Sequence, residues 1–271
     1  LQRIAEPQGE DFYRGALAAE MAAAAARLGG QLTEEDLAAH RCDWVGTIKQ
    51  DYRGYQVHEI PPNGQGLGAL LCLGILRHLD VGSLPVDSAD SLHVQIEAMK
   101  LALADAYRYV ADPAYMDVSV KDLLDESYLE HRAECIDMRR AQDPDHGVPD
   151  QSGTVYLTAA DEQGMMVSFI QSNYMGFGSG IVIPDTGISL QNRGTGFSLE
   201  EGHPNRVGGG KRPFHTIIPA FLMQGDRPLM SFGVMVFCMG AITAADPLMS
   251  QAGGSRDQEA VPRLLGRTLM L

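Results

Sequence analysis

The sequence has few cysteines, no metal-binding spacing and no long apolar run, and each shortage excludes a class of protein. Its four cysteines lie far apart and form no Cys-x-x-Cys pair, which argues against a structural zinc site or a disulfide framework. The eight histidines show no HxxxH or HExxH spacing, so the sequence gives no support for a catalytic metal. No apolar run reaches the roughly 18 residues of a membrane span.

Positive charge is also scarce. The 21 Lys and Arg residues against 35 Asp and Glu residues give a formal net charge of −14. A surface this negative repels phosphate backbones and anionic lipids, so we expect no nucleic-acid partner and no membrane partner. The 45% of hydrophobic residues and the length of 271 residues are typical of a folded chain with one large domain or two small ones.

The residue pattern changes from helical to extended along the chain. Alanine-rich and amphipathic segments predict helices over 10–28, 33–40, 67–79, 88–110 and 120–132, with one strand over 55–60. A polar segment with Pro and Gly, 141–153, predicts a linker. Alternating segments after it predict strands over 154–160, 165–171, 180–183, 187–190, 216–223 and 228–236. The sequence therefore predicts an α+β fold, with a helical first half and an antiparallel sheet in the second half.

Two glycine-rich segments have only a superficial likeness to nucleotide-binding loops. Gly64–Gly68 follows a Pro-Pro turn and lacks an acidic residue at the required distance. Gly208–Lys211 is followed by Arg-Pro, which replaces the Ser or Thr of a phosphate-binding loop and prevents helix entry. Tight turns explain both segments, and we expect no organic cofactor.

Thr154 begins the first predicted strand after the linker. Threonine in this position is ordinarily structural. If the Gly153–Thr154 bond were cut, however, the residue would carry a hydroxyl and a free α-amine whose pKa lies at about 7.7–8.0. One residue would then supply both a nucleophile and its base.

Several ordered motifs carry a resemblance to a known family. These motifs are TVYLTAADEQGMMVSFIQSNYMGFGSGIVIPDTGISLQNRGTGFS followed by PNRVGGGKRPFHTIIPAF, and upstream of these FYRG, GGQLTEEDLAAH and DYRGYQVHEIPPNGQGLGAL. On these motifs the chain resembles the γ-glutamyltransferase (γ-glutamyltranspeptidase) family over roughly 5–235. The resemblance implies an N-terminal-nucleophile hydrolase, an αββα sandwich made as a zymogen. The precursor cleaves itself before a Thr into a large and a small subunit and needs no metal or organic cofactor. It divides the chain into the end of the large subunit (1–153), the start of the small subunit (154–235) and a divergent tail (236–271).

The resemblance also assigns catalytic residues. Thr154 matches the nucleophile, and Gly153 lies on the other side of the bond that is cleaved. Ser172 matches a Thr whose hydroxyl supports the nucleophile, and a Ser donates the same hydrogen bond. The alternative for Ser172 is a structural cross-strand hydroxyl.

The substrate pocket departs from the pattern of γ-glutamyl-specific members. Tyr174 replaces an Asn, Arg193 replaces a Gln, and Gly196 replaces the Asp that binds the α-ammonium group of the substrate. His215-Thr216 replaces the Ser-Ser pair that holds the α-carboxylate. Losing a carboxylate partner for an ammonium group costs several kcal/mol of recognition. We therefore expect a pocket for an anionic or uncharged acyl group, with a surface ion pair as the alternative role of Arg193.

A further departure concerns the oxyanion hole. Val236-Phe237 replaces a Gly-Gly pair whose N–H groups stabilise the transition state, and such donors contribute about 2.7–4 kcal/mol. The resemblance ends at this point, so we expect an altered reading frame or a truncated gene from there onward. Because the chain opens with Leu1 rather than Met, we also expect it to be a fragment.

These patterns predict acyl transfer from, or hydrolysis of, γ-glutamyl amides such as glutathione through a Thr154 ester. The alternatives are a glutaryl or cephalosporin acylase-like amidohydrolase, or a catalytically inactive remnant. The expected partners are a small-molecule amide and the two subunits of one precursor. A cytoplasmic and a periplasmic or secreted location both fit the sequence.

Overall fold

Helices dominate the first half of the chain and strands the second. The computed structural model describes residues 1–142 and 154–234. The helices are α1 (Gln2–Ala5), α2 (Glu10–Arg14), α3 (Ala16–Arg27), α4 (Glu34–Ala39), α5 (Gly66–Arg77), α6 (Ala89–Tyr109), α7 (Val120–Leu123) and α8 (Glu126–Glu134). The strands are β1 (Ile48–Tyr52), β2 (Tyr55–Glu59), β3 (Thr154–Ala160), β4 (Met166–Ser172), β5 (Ile218–Gln224) and β6 (Arg227–Val234). The α+β prediction is confirmed.

Helix α5 is the centre of the core, because every residue from Gly66 to Leu76 is buried. Gly74 brings α8 close to α5. A Cβ added at Gly74 would lie 2.6 Å from the Leu129 Cδ1 atom of α8, whereas one at Gly68 would make only an ordinary 3.4 Å contact with Ala106 of α6. Small residues at such crossings let helix backbones approach, so the apolar surfaces of these helices are buried together.

A four-stranded antiparallel sheet packs against these helices in the order β1-β2-β5-β6. The hairpin β1–β2 turns at Arg53-Gly54, where both residues have positive φ, as a two-residue hairpin turn of type I′ requires. Strand β2 then pairs with β5, placing Val57 opposite Leu222 in the core beneath the helices. Segments from both halves of the chain therefore share one sheet.

The hairpin β3–β4 forms a second sheet that packs on β6. The Tyr156 hydroxyl hydrogen-bonds to Ser168 at 2.8 Å, and the Ser168 hydroxyl donates to the Phe232 carbonyl at 3.3 Å. Thr158 and Ser231 also share a hydrogen bond. A Cβ added at Gly233 would lie 2.7 Å from the Tyr156 ring, so only glycine permits this contact. The opposite face of the hairpin exposes apolar side chains, which are Val155, Leu157, Val167 and Phe169.

Residues 1–45 and 173–192 form a separate compact unit. Helix α4 starts with a capping box in which Thr33 and Asp36 exchange hydrogen bonds. Met21, Ala24 and Ile183 form a small core of their own. Among the described residues, no helix combines the length and apolarity that crossing a bilayer requires.

Four details of the sequence interpretation are wrong. The predicted strands over 180–183 and 187–190 are reduced to one bridge, Val182 opposite Ser189, because Gly180 and Gly187 adopt positive φ and bend the chain. The predicted helix over 10–28 is two helices that meet at Gly15, and the predicted helix over 120–132 is the two helices α7 and α8. Strand β1 was not predicted at all. Most of the predicted linker and the whole tail 236–271 lie outside the described residues, so the predicted subunit boundaries stay predictions.

Candidate active site

Thr154 and Ser172 lie opposite each other at the open end of the β3–β4 hairpin. The register of the two strands pairs Thr154 with Ser172 and continues without a break to Ala160 opposite Met166. The turn between the strands is closed by the Asp161 carboxylate, which accepts hydrogen bonds from two backbone N–H groups. The hairpin therefore brings the two predicted catalytic residues together, although their chemical roles stay predictions.

The end of β6 borders this hairpin, since Tyr156 contacts Gly233 and Ser168 contacts Phe232. The predicted oxyanion positions, Val236 and Phe237, follow β6 in the chain but lie outside the described residues, as does Gly153.

A second group of predicted residues is held together by Asn205. This buried side chain donates from Nδ2 to the Gly196 carbonyl at 2.6 Å and accepts from the Phe214 N–H at 2.9 Å through Oδ1. It thereby ties the short 3₁₀ turn Arg193–Gly196 to the segment that carries His215 and Thr216. Sequence reasoning missed Asn205. The only sequence signal for this residue is its position within the motif PNRVGGGKRPFHTIIPAF that resembles the family.

Gly196 has no room for a side chain. A Cβ built on this residue would lie 2.4 Å from the Phe214 carbonyl oxygen, well inside contact distance. The aspartate that γ-glutamyl-specific relatives are expected to have here does not fit this backbone. The neighbouring main chain thus occupies the space that a side chain at position 196 would need.

The electrostatics of this group depend on Arg193 and His215. Burial and the nearby positive charge of Arg193 lower the pKa of His215 to about 4. The imidazole is therefore neutral at pH 7 and Arg193 supplies the positive charge. The terminal nitrogens of Arg193 are shielded from solvent, which disagrees with a surface ion pair as its role. The Nδ1 atom of His215 is buried and has no hydrogen-bond partner among the described residues.

The other predicted pocket residues are less informative. Thr216 follows His215 and is partly buried ahead of β5. Tyr174 belongs to the separate unit of residues 1–45 and 173–192, where it adopts a φ of 79° that is unusual for a bulky residue. The described residues contain no cluster of three or more His, Cys, Asp or Glu side chains suited to a metal ion.

A buried carboxyl group escaped sequence reasoning. Glu59, at the end of β2, is only 2% exposed, and its Oε2 atom has no hydrogen-bond partner among the described residues. A Cβ added at Gly66, the first residue of α5, would lie 2.8 Å from this oxygen. Burial raises the pKa of Glu59 to about 8, so the group is largely protonated at neutral pH.

Comparison with known proteins shows which family the chain belongs to. The family profile described as Gamma-glutamyltranspeptidase matches residues 1–239. The chain belongs to the gamma-glutamyltranspeptidase family. A glutathione hydrolase-like YwrD proenzyme of Bacillus subtilis is 40% identical over 86% of the chain and 44% of its own length. An oxamate amidohydrolase proenzyme of Klebsiella pneumoniae is 39% identical over 87% of the chain and 44% of its own length.

A solved structure also matches the chain. The crystal structure of a cephalosporin acylase from Bacillus halodurans superimposes with a TM-score of 0.83 and 48% sequence identity. The match covers 92% of this chain and 46% of the acylase. The chain therefore spans less than half of the length of each of these three gamma-glutamyltranspeptidase relatives.

Proposed function

We propose that this chain is part of an amidohydrolase precursor that cleaves itself between Gly153 and Thr154 and then hydrolyses amides through an ester on Thr154. The pairing of Thr154 with Ser172 at the open end of the hairpin supports this role, because cleavage would make Thr154 the free end of a strand. The helix layer and the two packed sheets agree with part of an αββα sandwich. Both curated relatives are named as proenzymes, which agrees with a processed precursor.

Self-cleavage requires only the Thr154 hydroxyl, the Gly153–Thr154 peptide bond and water. The Thr154 hydroxyl attacks the carbonyl carbon of Gly153, and the acyl group moves from nitrogen to oxygen. Water then hydrolyses this ester, which leaves a carboxylate on Gly153 and both a hydroxyl and an amine on Thr154. Glycine before the bond accommodates the distorted backbone because it has no Cβ.

Catalysis then reuses the same residue. The free amine accepts the hydroxyl proton while the oxygen attacks the substrate amide. The resulting ammonium group returns the proton to the departing amine. Attack of water on the acyl ester releases the acid and restores Thr154, whereas attack of an amine would give acyl transfer.

The acyl group that best fits the site carries a carboxylate or no charge, and lacks an α-ammonium group. The observation on which this depends is the 2.4 Å approach of Phe214 to the Cβ position of Gly196, because it excludes a side chain that could bind ammonium. Arg193 beside a neutral His215 favours an anion instead. The oxamate amidohydrolase and the cephalosporin acylase are relatives whose names also indicate amides outside the γ-glutamyl class.

The second candidate is hydrolysis of γ-glutamyl amides, which is favoured by the glutathione hydrolase-like name of the Bacillus subtilis relative. Kinetics on glutaryl and γ-glutamyl anilides that share one leaving group distinguish the two candidates. We expect a glutaryl preference of about tenfold or more, since one lost ion pair is equivalent to at least 1.4 kcal/mol. A strong γ-glutamyl preference would overturn the assignment of the pocket.

Denaturing electrophoresis and mass spectrometry of the full-length protein test the processing step. We expect two chains, the second starting at Thr154, and a single unprocessed chain in Thr154→Ala. The matched variant Thr154→Ser keeps a hydroxyl and should still be processed. If the wild-type protein remains a single unprocessed chain like Thr154→Ala, and if it also has no activity, the chain is a catalytically inactive remnant.

A further inference from the structure

The loop Asn63–Gln65 directly precedes α5 and is attached to the segment that carries His215. The Gln65 N–H donates to the His215 carbonyl at 2.8 Å, and the His215 N–H donates to the Asn63 carbonyl at 3.2 Å. The Asn63 side chain adds a third bond, from Nδ2 to the Pro213 carbonyl at 2.6 Å. These bonds give a short parallel bridge between Gly64 and His215, which are 151 positions apart in the sequence.

Gly64 also contacts the imidazole ring. A Cβ added at Gly64 would lie 2.8 Å from Cε1 of His215 and 3.4 Å from Nε2, so the ring occupies the space of the missing side chain. Gly64 does not have positive φ. The need for glycine here therefore comes from the contact with the ring rather than from backbone conformation.

We propose that the Asn63–Gln65 loop is a positioning element of the acyl pocket, which fixes the orientation of the His215 imidazole by contact at Gly64. The role of His215 as a substrate contact rests on the proposed function, whereas the contact between loop and ring does not. The loop precedes the Gly153–Thr154 bond and His215 follows it. After cleavage, residues of one subunit would thus determine how a residue of the other meets the substrate.

Kinetics of Gly64→Ala in the full-length protein test this proposal. The added methyl group displaces the ring, so we expect KM for a glutaryl anilide to rise about tenfold, with kcat changed by less than about twofold. Gly68→Ala is the matched control, because its Cβ makes an ordinary 3.4 Å contact with Ala106 and should leave both constants unchanged. In a His215→Ala background there is no ring to displace, so Gly64→Ala should have almost no additional effect. An equal effect in both backgrounds would overturn the proposal.

A second measurement does not depend on activity. The ring resonances of His215, followed by NMR against pH, should report a pKa far below the ordinary value in the wild-type protein, because the ring is buried beside Arg193. Gly64→Ala should move this pKa toward the ordinary value, whereas Gly68→Ala should not. Asn63→Ala removes the side-chain donor to Pro213 without introducing a charge, so it replaces Gly64→Ala if that variant does not fold. A His215 pKa unchanged in the folded variant would refute the positioning role. A shifted pKa without amide hydrolysis by the wild-type protein would refute the proposed function alone.

Discussion

Placing an aspartate at position 196, where γ-glutamyl-specific relatives are expected to have one, is the sharpest test of the proposed pocket. In Gly196→Asp, the new Cβ would lie 2.4 Å from the Phe214 carbonyl oxygen, so the two segments must separate by about 1 Å to reach ordinary contact. Overpacking of this kind costs about 1–3 kcal/mol. The movement also strains the two hydrogen bonds of Asn205, each of which contributes about 1 kcal/mol. We therefore expect the free energy of unfolding to fall by about 2–4 kcal/mol.

Urea denaturation followed by circular dichroism measures this loss. Gly194→Asp is the matched control, since Gly194 lies in the same 3₁₀ turn and a Cβ there meets no atom within 4 Å. It should change stability by less than about 0.5 kcal/mol. If Gly196→Asp is as stable as the control and gains γ-glutamyl hydrolysis, the backbone does accommodate the aspartate and the structural reason given for its absence is refuted.

Substitutions at Glu59, Arg132 and Tyr174, with Arg108 as a control, test the remaining parts of the structure. Burial raises the pKa of Glu59, so this residue does not destabilise the fold below its unfolded pKa near 4.5, and its destabilising effect grows as the pH rises toward about 8. The free energy of unfolding of the wild-type protein should therefore fall by a few kcal/mol between pH 5 and 8, and Glu59→Gln should remove this fall. Urea titrations at several pH values measure it. In the wild-type protein the Arg132 guanidinium lies 3.0 Å from the buried Asp105 carboxylate, so Arg132→Met leaves this carboxylate without its cation and should lower stability by about 3 kcal/mol in thermal unfolding. The control Arg108→Met breaks an exposed ion pair with Asp117 and should lower stability by less than about 1 kcal/mol. Tyr174 has a φ of 79°, so Tyr174→Asn should keep its stability while Tyr174→Val loses about 1–3 kcal/mol by urea denaturation.

The fold could be predicted where local signals are strong. Ser88 accepts a hydrogen bond from the Ser91 N–H at the start of α6, as a capping residue should. The two segments of alternating residues after Thr154 pair with each other as a hairpin. Strand β1 was missed because its alternation is short and its polar residues, among them the buried Gln50, resemble those of a loop. The Arg53-Gly54 turn was the signal that could have revealed it.

The candidate site likewise has features that the sequence predicts and features that only the structure reveals. The resemblance alone suggests the candidate pocket residues, whose roles stay predictions, and the structure gives Gly196 a physical reason for being glycine. The partners of these residues could not be derived, because Asn205 and Asn63 act through long-range contacts that no local pattern encodes. The raised pKa of Glu59 is likewise a consequence of tertiary burial.

Two glycines beside the proposed acyl pocket indicate that its selectivity would be a property of the backbone rather than of single side chains. Gly196 admits the Phe214 carbonyl and Gly64 admits the His215 ring, so the segment 213–215 is held closely on two sides. Adding a side chain on either side displaces the same segment. Exchanging Arg193, Gly196 or His215 singly for the residue of a γ-glutamyl-specific relative should therefore lower activity without creating the other specificity. A change of substrate class requires both bordering segments to be rebuilt together with the segment that they hold.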